Sequence, residues 1–411
     1  MNELRAQINE WREAIAQRIP AAPRVIGGRW SRVFAPAALA FMIVLPFFFS
    51  SASGFMNATI IALAYVVMAL GLNVVVGFAG LLDLGYVAFY AFGAYAVGWF
   101  GSSFFFNAHV SVLSSVAAGS IGIHLNFVLI LICAMIVTSI AGVIIGLPTL
   151  RLRGDYIAIV TLAFGEIIGT LAVNGSDIHL GGGQTLTAGS LGISALDLPY
   201  FPGVGKFGLL SLRPWYWLIL TIVVIVLFVV RRIRDSRLGR AWIALREDEI
   251  AAVSMGIPLV KTKLLAYAIG GAFGGVSGVF LADFNQTVNA SQFQFTFSIF
   301  VLSMVILGGL GSIAGTALGA LALSYINYYL IPDVLNTVPH DLGLNFDLTD
   351  LSIGIFGFLL VLVMVLRPQG LFPEQRRRLE LAGTVASEQT ELAGAGSASV
   401  TGGGGTGGGF G

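Results

Sequence analysis

The sequence predicts an all-α polytopic membrane protein with about ten transmembrane helices, and three observations support this fold class. Only 10% of the 411 residues are charged, whereas 56% are hydrophobic; a typical soluble domain carries about 25% charged residues. About ten apolar runs reach a membrane-spanning length, and the basic residues cluster between them. This pattern excludes a disordered chain and disfavours a water-soluble globule.

Each predicted helix corresponds to one apolar run, since a helix of about 20 residues crosses a bilayer. The runs cover roughly residues 33–50, 57–79, 84–106, 126–149, 155–173, 215–231, 264–283, 294–309, 312–331 and 351–366. The two runs within 294–331 are short, so this region could be divided differently. Counted separately, the runs give ten crossings.

The distribution of basic residues predicts the orientation in the membrane. Twenty of the 22 lie in four patches: the N-terminal tail, the pair Arg151 and Arg153, the segment 231–263, and the residues from Arg367 onward. Basic loops stay on the cytoplasmic side. Successive patches are separated by four, two and four runs, all even numbers, as a common side requires. We therefore predict a multi-pass protein of the plasma (inner) membrane with both termini in the cytoplasm.

Three regions are predicted along the chain. Residues 1–32 form an amphipathic segment, because Leu4, Ile8, Trp11 and Ile15 recur on one helical face. This segment lies either on the cytoplasmic membrane surface or against a partner subunit. Residues 33–366 form the transmembrane domain, and residues 367–411 form a cytoplasmic, glycine-rich flexible tail.

Small residues at four-residue spacing predict where helices pack closely. Two such series occur, one at Gly270, Gly274 and Gly278 and the other at Gly311, Gly315 and Gly319. The single cysteine excludes a disulfide within the chain. The four histidines are far apart and lack the spacing of metal ligands, so no metal site is expected.

The cytoplasmic segment 231–263 is the most informative loop. Ser236 is expected to cap a helix that carries Trp242, Leu245 and Ile250 toward one side. The pattern Glu-x-Ala-Ala-x-x-x-Gly follows, formed by Glu249, Ala251, Ala252 and Gly256. Small residues on a short exposed helix favour docking into a groove of another protein. The alternative is an ordinary charged loop.

Catalysis by the chain itself is not expected. The one Gly-Lys pair, Gly205-Lys206, is followed by Phe207 and lacks the leading glycine of a phosphate-binding loop. The chain is therefore not expected to hydrolyse ATP by itself, and no bound cofactor is expected.

Two acidic residues, Glu166 and Asp83, lie within apolar regions, and each has two possible roles. Glu166 lies in the middle of a predicted span, where an ionised carboxylate costs about 2.5–3.5 kcal/mol. It either lines a pathway or pairs with a partner, or it is a hydrogen-bonded packing residue. Asp83 lies either in a solvated cytoplasmic turn or in a broken helix near the pathway. Asp283 is expected to stay solvated at the outer side.

Aromatic residues near Asp83 form a candidate apolar surface for transport. The candidates are Tyr86, Phe89 and Tyr90. At this spacing, a position facing lipid or in the core is more common for such residues.

Five sequence blocks resemble those of LivM-type branched-chain amino acid permeases. They read GLLDLGYVAFYAFGAYAVG from Gly80, LRLRGDYIAIVTLAFGEII from Leu150, GRAWIALREDEIAAVSMGI from Gly239, VILGGLGSIAG from Val305 and LRPQGLFP from Leu366. They occur in the family's order between about residues 57 and 373.

This resemblance implies the permease fold of an ATP-binding-cassette importer for leucine, isoleucine and valine. It implies a second, LivH-like permease, two subunits that hydrolyse ATP, and an external substrate-binding protein; nucleic acid is not expected as a partner. Glu249, Ala251, Ala252 and Gly256 match the family's coupling segment. The chain departs from the family at Gly169, where an arginine is usual, and in the outer loop 180–193. These departures affect the substrate more than the transport class.

Three other functions remain open from the sequence. A permease of the same superfamily for urea or short amides would keep the fold and the coupling segment. An ion-coupled secondary carrier would use Glu166 and Asp83 as titrating groups. A membrane scaffold would transport nothing.

Overall fold

The computed structural model describes most of the membrane domain. The described residues are 31–50, 53–114, 116, 119–150, 152, 154–201, 203, 205–208, 211–336, 354, 357, 358, 361, 370 and 371. Nearly all of the predicted N-terminal segment, nearly all of the glycine-rich tail and most of the tenth apolar run lie outside these residues.

The described part of the chain is dominated by helices. In chain order they are α1 Ser31–Phe48, α2 Gly54–Leu72, α3 Val87–Phe100, α4 Phe127–Thr149, α5 Asp155–Asn174, α6 Leu212–Asp235, α7 Arg237–Glu247, α8 Glu249–Ser254, α9 Leu259–Asn285, α10 Phe295–Gly308 and α11 Ile313–Tyr325. Helix α2 continues as a π-helix over Asn73–Phe78, and α11 continues as one over Ile326–Leu335.

Short strands and single helical turns fill the connections. The strands are β1 Gly101–Ser102, β2 His109–Val112, β3 Gly122–Leu125, β4 His179–Gly181, β5 Gln184–Thr185, β6 Ile193–Ser194, β7 Tyr200–Phe201, β8 Gly205–Lys206 and β9 Thr287–Val288. They pair as β1-β3-β2, β4-β5, β6-β9 and β7-β8. Turns of 3-10 helix lie at Gly175–Asp177, Gly189–Leu191 and Ala290–Gln292. We call this end of the bundle the strand side, and the end that carries α7 and α8 the basic side.

The structure confirms a helical membrane fold. Within the described part of the chain, six helical segments are long and apolar enough to span a bilayer, namely Gly54–Phe78, Phe127–Thr149, Tyr156–Asp177, Leu212–Asp235, Leu259–Asn285 and Ile313–Asp333. The sequence did not predict the small sheets of the strand side, because their two- to four-residue strands are too short to show a periodicity. The count of ten crossings stays a prediction.

Two helices form the centre of the bundle. The apolar window of Gly54–Phe78 is 94% buried and that of Leu259–Asn285 is 78% buried, against 28–33% for the other four spans. Close packing here depends on the predicted glycine series of α9. A Cβ on Gly274 would lie 2.9 Å from the Cβ of Phe89, and one on Gly278 would clash with the backbone of Tyr90. The packing role of this series is confirmed.

Two short helices begin next to each other inside the bundle. Helices α3 and α10 have 14 residues each, which gives a length of about 21 Å, whereas α9 extends about 40 Å. The backbone N–H of Val87, the first residue of α3, donates to Ser298 Oγ in the first turn of α10 at 3.0 Å. From this point α3 runs to the strand side and α10 runs to the basic side. Both are therefore discontinuous helices whose N-termini meet within the bundle.

Candidate functional site

The predicted docking segment consists of two helices where the sequence suggested one. Ser236 Oγ accepts the N–H of Gly239 at 3.3 Å and begins α7, as predicted. Asp248 interrupts the helix and caps α8, because its Oδ1 accepts the N–H groups of Ile250 and Ala251 at 2.8 and 3.0 Å. The chain therefore changes direction at Asp248.

Because of this change of direction, Trp242, Leu245 and Ile250 do not lie on one side of a single helix, as the sequence had suggested. Trp242 and Leu245 of α7 are buried, as predicted, but Ile250 of α8 is 73% exposed. Val253 and Met255 are exposed with it, at 46% and 85%. These three apolar side chains form an exposed cluster on the basic side, which we call the α8 knob.

Two of the four predicted coupling residues face the chain's own membrane domain. Ala252 is 4% exposed, and Glu249 Oε2 accepts a hydrogen bond from Lys263 Nζ of α9 at 2.9 Å. Ala251 and Gly256 are exposed. The expectation that the alanines and the glycine of this segment are exposed for docking is wrong for Ala252, because its side chain is buried.

The backbone conformation at Gly256 favours glycine. Its φ is +85°, in the left-handed region. Its N–H donates to Val253 O, and the N–H of Ile257 donates to Ala252 O, which closes α8 with a Schellman motif. Apart from its chain neighbours, no atom of the described residues lies within 4 Å of the position that a Cβ would take. The glycine is therefore needed for its conformation rather than for space.

Helix α7 is anchored to the membrane domain at two points. The indole N–H of Trp242 donates to Thr262 O at 2.8 Å. Arg246 Nη1 donates to the carbonyl of Gly77, at the end of α2, at 2.5 Å. The side chain of Arg246 also packs against Gly80. Helix α7 is thus in direct contact with the segment between α2 and α3.

This segment, residues 79–86, places Asp83 inside the protein. Asp83 is 1% exposed, so the expectation of a solvated turn is wrong. Its Oδ1 accepts the N–H of Gly85 at 2.9 Å, and its Oδ2 is buried without a hydrogen bond from the described residues. The adjoining N–H of Leu84 donates to Thr161 Oγ1 of α5. The burial follows from the break between α2 and α3, which carries the chain back into the bundle.

The three candidate pathway aromatics are core residues. Tyr86 and Phe89 are fully buried, and Tyr90 is 3% exposed. Tyr86 donates its hydroxyl to Gly270 O of α9 at 2.7 Å, and Tyr90 stacks on Phe297 of α10. These contacts hold α3 against α9 and α10, which is the more common of the two roles considered.

Glu166 is exposed and lines an open cavity of about 640 Å³ on the half of α5 nearer the strand side. The opposite wall is the segment from Asn289 to Thr296, which leads into α10. The cavity is lined by both polar and apolar side chains; the polar ones are Glu166, Thr170, Ser190, Asn289, Ser291, Gln294 and Thr296. Gly169 brings the walls together, since a Cβ there would lie 2.8 Å from Phe293 O.

The strand side holds a second buried polar group that the sequence did not reveal. His124 Nδ1 lies 2.6 Å from Asp197 Oδ2, and His124 Nε2 lies 3.0 Å from Ile121 O.

Asp283 is 1% exposed, so it is not solvated as expected. It receives a hydrogen bond from Gln286 Nε2 on its carboxylate. Among the described residues no group of three metal-ligating side chains occurs.

Two of the contacts that sequence reasoning missed join residues far apart in the sequence. Arg246 and Gly77 are 169 residues apart, and Val87 and Ser298 are 211 apart. No periodicity or motif connects such distant positions. Only the charge of Arg246 gave a signal, and it did not identify a partner.

Comparison with known proteins agrees with this architecture. The profile of the family described as "Branched-chain amino acid transport system / permease component" matches residues 54–364. The chain is 35% identical to the high-affinity branched-chain amino acid transport system permease protein LivM of Salmonella typhimurium, over 87% of this chain and 79% of that protein. No solved structure matches the chain significantly.

More distant relatives belong to the same group. A probable branched-chain amino acid transport permease protein LivM of Methanocaldococcus jannaschii is 30% identical over 76% of this chain and 91% of its own length. The permease protein LivH of Salmonella typhimurium is 26% identical over 65% of this chain and 82% of its own. The family profile, the helical architecture and the LivM relatives agree, and the chain belongs to the branched-chain amino acid transport permease family.

Proposed function

We propose that the chain is a membrane permease subunit of an ATP-driven importer for leucine, isoleucine and valine, which receives its substrate from an external binding protein. Membership of the permease family and the similarity to LivM over most of the chain support this function. The α8 knob is the observation that carries it. A soluble surface rarely exposes three large apolar side chains together unless they form an interface.

The partners follow from the two ends of the molecule. An ATP-hydrolysing subunit would receive Ile250, Val253 and Met255 in a groove, with Ala251 and Gly256 at its edge. Glu249 and Ala252 would instead transmit the movement inward, through Lys263 and the packing of α8. The similarity to both LivM and LivH supports a second, related permease in the complex. Two ATP-hydrolysing subunits would then serve the pair.

The same proposal includes about ten crossings in the inner membrane, the permease fold of an ATP-binding-cassette importer, and both termini in the cytoplasm. The basic residues of 231–263 support a cytoplasmic basic side. The strand side would then face the binding protein. The chain would hold no cofactor, and ATP would be hydrolysed by the partner subunits.

Uptake and purification test this function. Cells that lack the gene should lose uptake of radiolabelled leucine and keep uptake of urea, and the tagged chain should co-purify with ATPase and permease subunits. Unchanged leucine uptake with loss of urea uptake would favour the urea or amide permease. Loss of uptake on addition of a protonophore, with ATP maintained, would favour an ion-coupled carrier.

A further inference from the structure

Glu166 is an ionisable group in a position that an apolar helix does not favour. Its neighbours along α5 are apolar, and its side chain is exposed. Within the described part of the chain, no cation forms an ion pair with it. An ionised carboxylate facing lipid would cost about 2.5–3.5 kcal/mol, and such residues usually face a cavity or a partner.

The surroundings of Glu166 have the composition of a small-molecule site. Thr170 lies one helical turn farther along α5, and Gln294 and Thr296 lie on the opposite wall. Phe293 and Phe295 add apolar surface. The volume of about 640 Å³ lies within the range of about 300–1,000 Å³ found for ligand pockets.

The position in the fold agrees with this composition. The cavity adjoins the start of the discontinuous helix α10, and Ser298 in its first turn caps α3. The N-termini of discontinuous helices inside a membrane domain favour anionic groups of a substrate. One wall thus offers a carboxylate, and the other offers hydroxyl, amide and backbone donors.

We propose that this cavity binds the amino acid during transport as a zwitterion, with Glu166 taking its ammonium group. Thr296 and the first backbone N–H groups of α10 take the carboxylate, and Phe293 and Phe295 contact the aliphatic side chain. This inference rests on the proposed function and adds the residue that recognises the amino group. No bond is made or broken at the site.

Binding of radiolabelled leucine to the complete transporter in detergent, without the binding protein, tests the site. Glu166→Gln should weaken binding at least about tenfold, because a hydrogen bond to a charged group is lost. Glutamine is easier to insert into a membrane than an ionised glutamate, so weaker binding would not reflect misfolding. Thr296→Val should weaken binding by a smaller factor.

Asp177→Asn is the matched control. It removes the same charge from the exposed end of the same helical segment and should leave leucine binding unchanged. Equal binding by the wild type and Glu166→Gln would overturn the site. Loss of the second permease from the purified Glu166→Gln complex would also overturn it, since Glu166 would then be a subunit contact. A wild-type complex that neither binds nor imports leucine would contradict the proposed function itself.

Discussion

Glu249 and Lys263 connect α8 to α9 through a hydrogen-bonded ion pair of 2.9 Å. Lys263 is 5% exposed, so its ammonium group depends on this carboxylate. The pair explains why a glutamate in the docking segment points away from the exposed knob. It makes Glu249 a connecting residue between α8 and the membrane domain.

We expect Glu249→Ala to lower the free energy of unfolding by about 1–3 kcal/mol, the cost of a buried polar group left without its partner. The thermal midpoint of the purified complex should fall, and less leucine should be imported per ATP hydrolysed. Glu247→Ala, at the exposed end of α7, is the control and should change neither quantity. Wild-type stability and transport in Glu249→Ala would show that the pair is dispensable.

Gly256 allows a second test at the level of one residue. Because its φ is +85°, an alanine there should cost about 1–2 kcal/mol of backbone strain. We expect Gly256→Ala to insert normally but to hydrolyse ATP with reduced leucine uptake. Gly256→Asn should retain more uptake, since asparagine tolerates the left-handed region. If both variants transport equally well, the conformation of this turn does not matter for coupling.

At the scale of elements, the connection between α2 and α3 links the basic side to the cavity. Arg246 of α7 contacts Gly77 and Gly80 at one end of this connection. At the other end, Leu84 donates to Thr161 of α5, less than two turns before Glu166. The connection is irregular rather than helical.

We expect Arg246→Ala to separate ATP hydrolysis from transport. The variant should keep at least half of the wild-type ATPase rate but import leucine several-fold more slowly, because α7 loses its hydrogen bond to Gly77. A several-fold slower import corresponds to about 1 kcal/mol, the typical contribution of one hydrogen bond. Arg240→Ala is the control, because it removes an exposed arginine from the same helix. Among the contacts described, Arg240 Nη1 donates only to the carbonyl of Asp235, five residues earlier in the chain. This control variant should transport normally. A parallel loss in both variants would assign the effect to charge rather than to this contact.

At the scale of the whole molecule, the two ends differ in a way that labelling can detect. Met255 on the basic side is 85% exposed, and Leu191 on the strand side is 94% exposed. Cysteines at these positions would report the side of the membrane that each end occupies. The chain has a single native cysteine, which lies in α4.

A membrane-impermeant maleimide should label Leu191→Cys in intact cells. It should label Met255→Cys only after the cells are made permeable, because the basic residues keep that side in the cytoplasm. The wild-type chain measures the background from Cys133. Labelling of Met255→Cys in intact cells would reverse the proposed orientation.

The described helices overlap nine of the ten apolar runs identified in the sequence, although α3 ends at Phe100, within the run 84–106. This agreement arises because the length and hydropathy of a segment decide by themselves whether it suits a bilayer. The cap at Ser236 and the packing of Gly270, Gly274 and Gly278 were predictable for a similar reason. Each depends on residues within a few turns of one helix.

The tertiary structure decided which of these residues face inward. Asp283 was expected in solvent, and a solvated turn was one of the two alternatives for Asp83, yet both carboxylates are buried. Glu249 and Ala252 turn inward because Asp248 breaks the helix. The cavity beside Glu166 exists only because the segment before α10 returns to α5. The sequence by itself determined the helices, since hydropathy is a property of each segment. The candidate sites were decided only by the tertiary structure, because they are built from contacts between segments, and such contacts depend on packing in three dimensions.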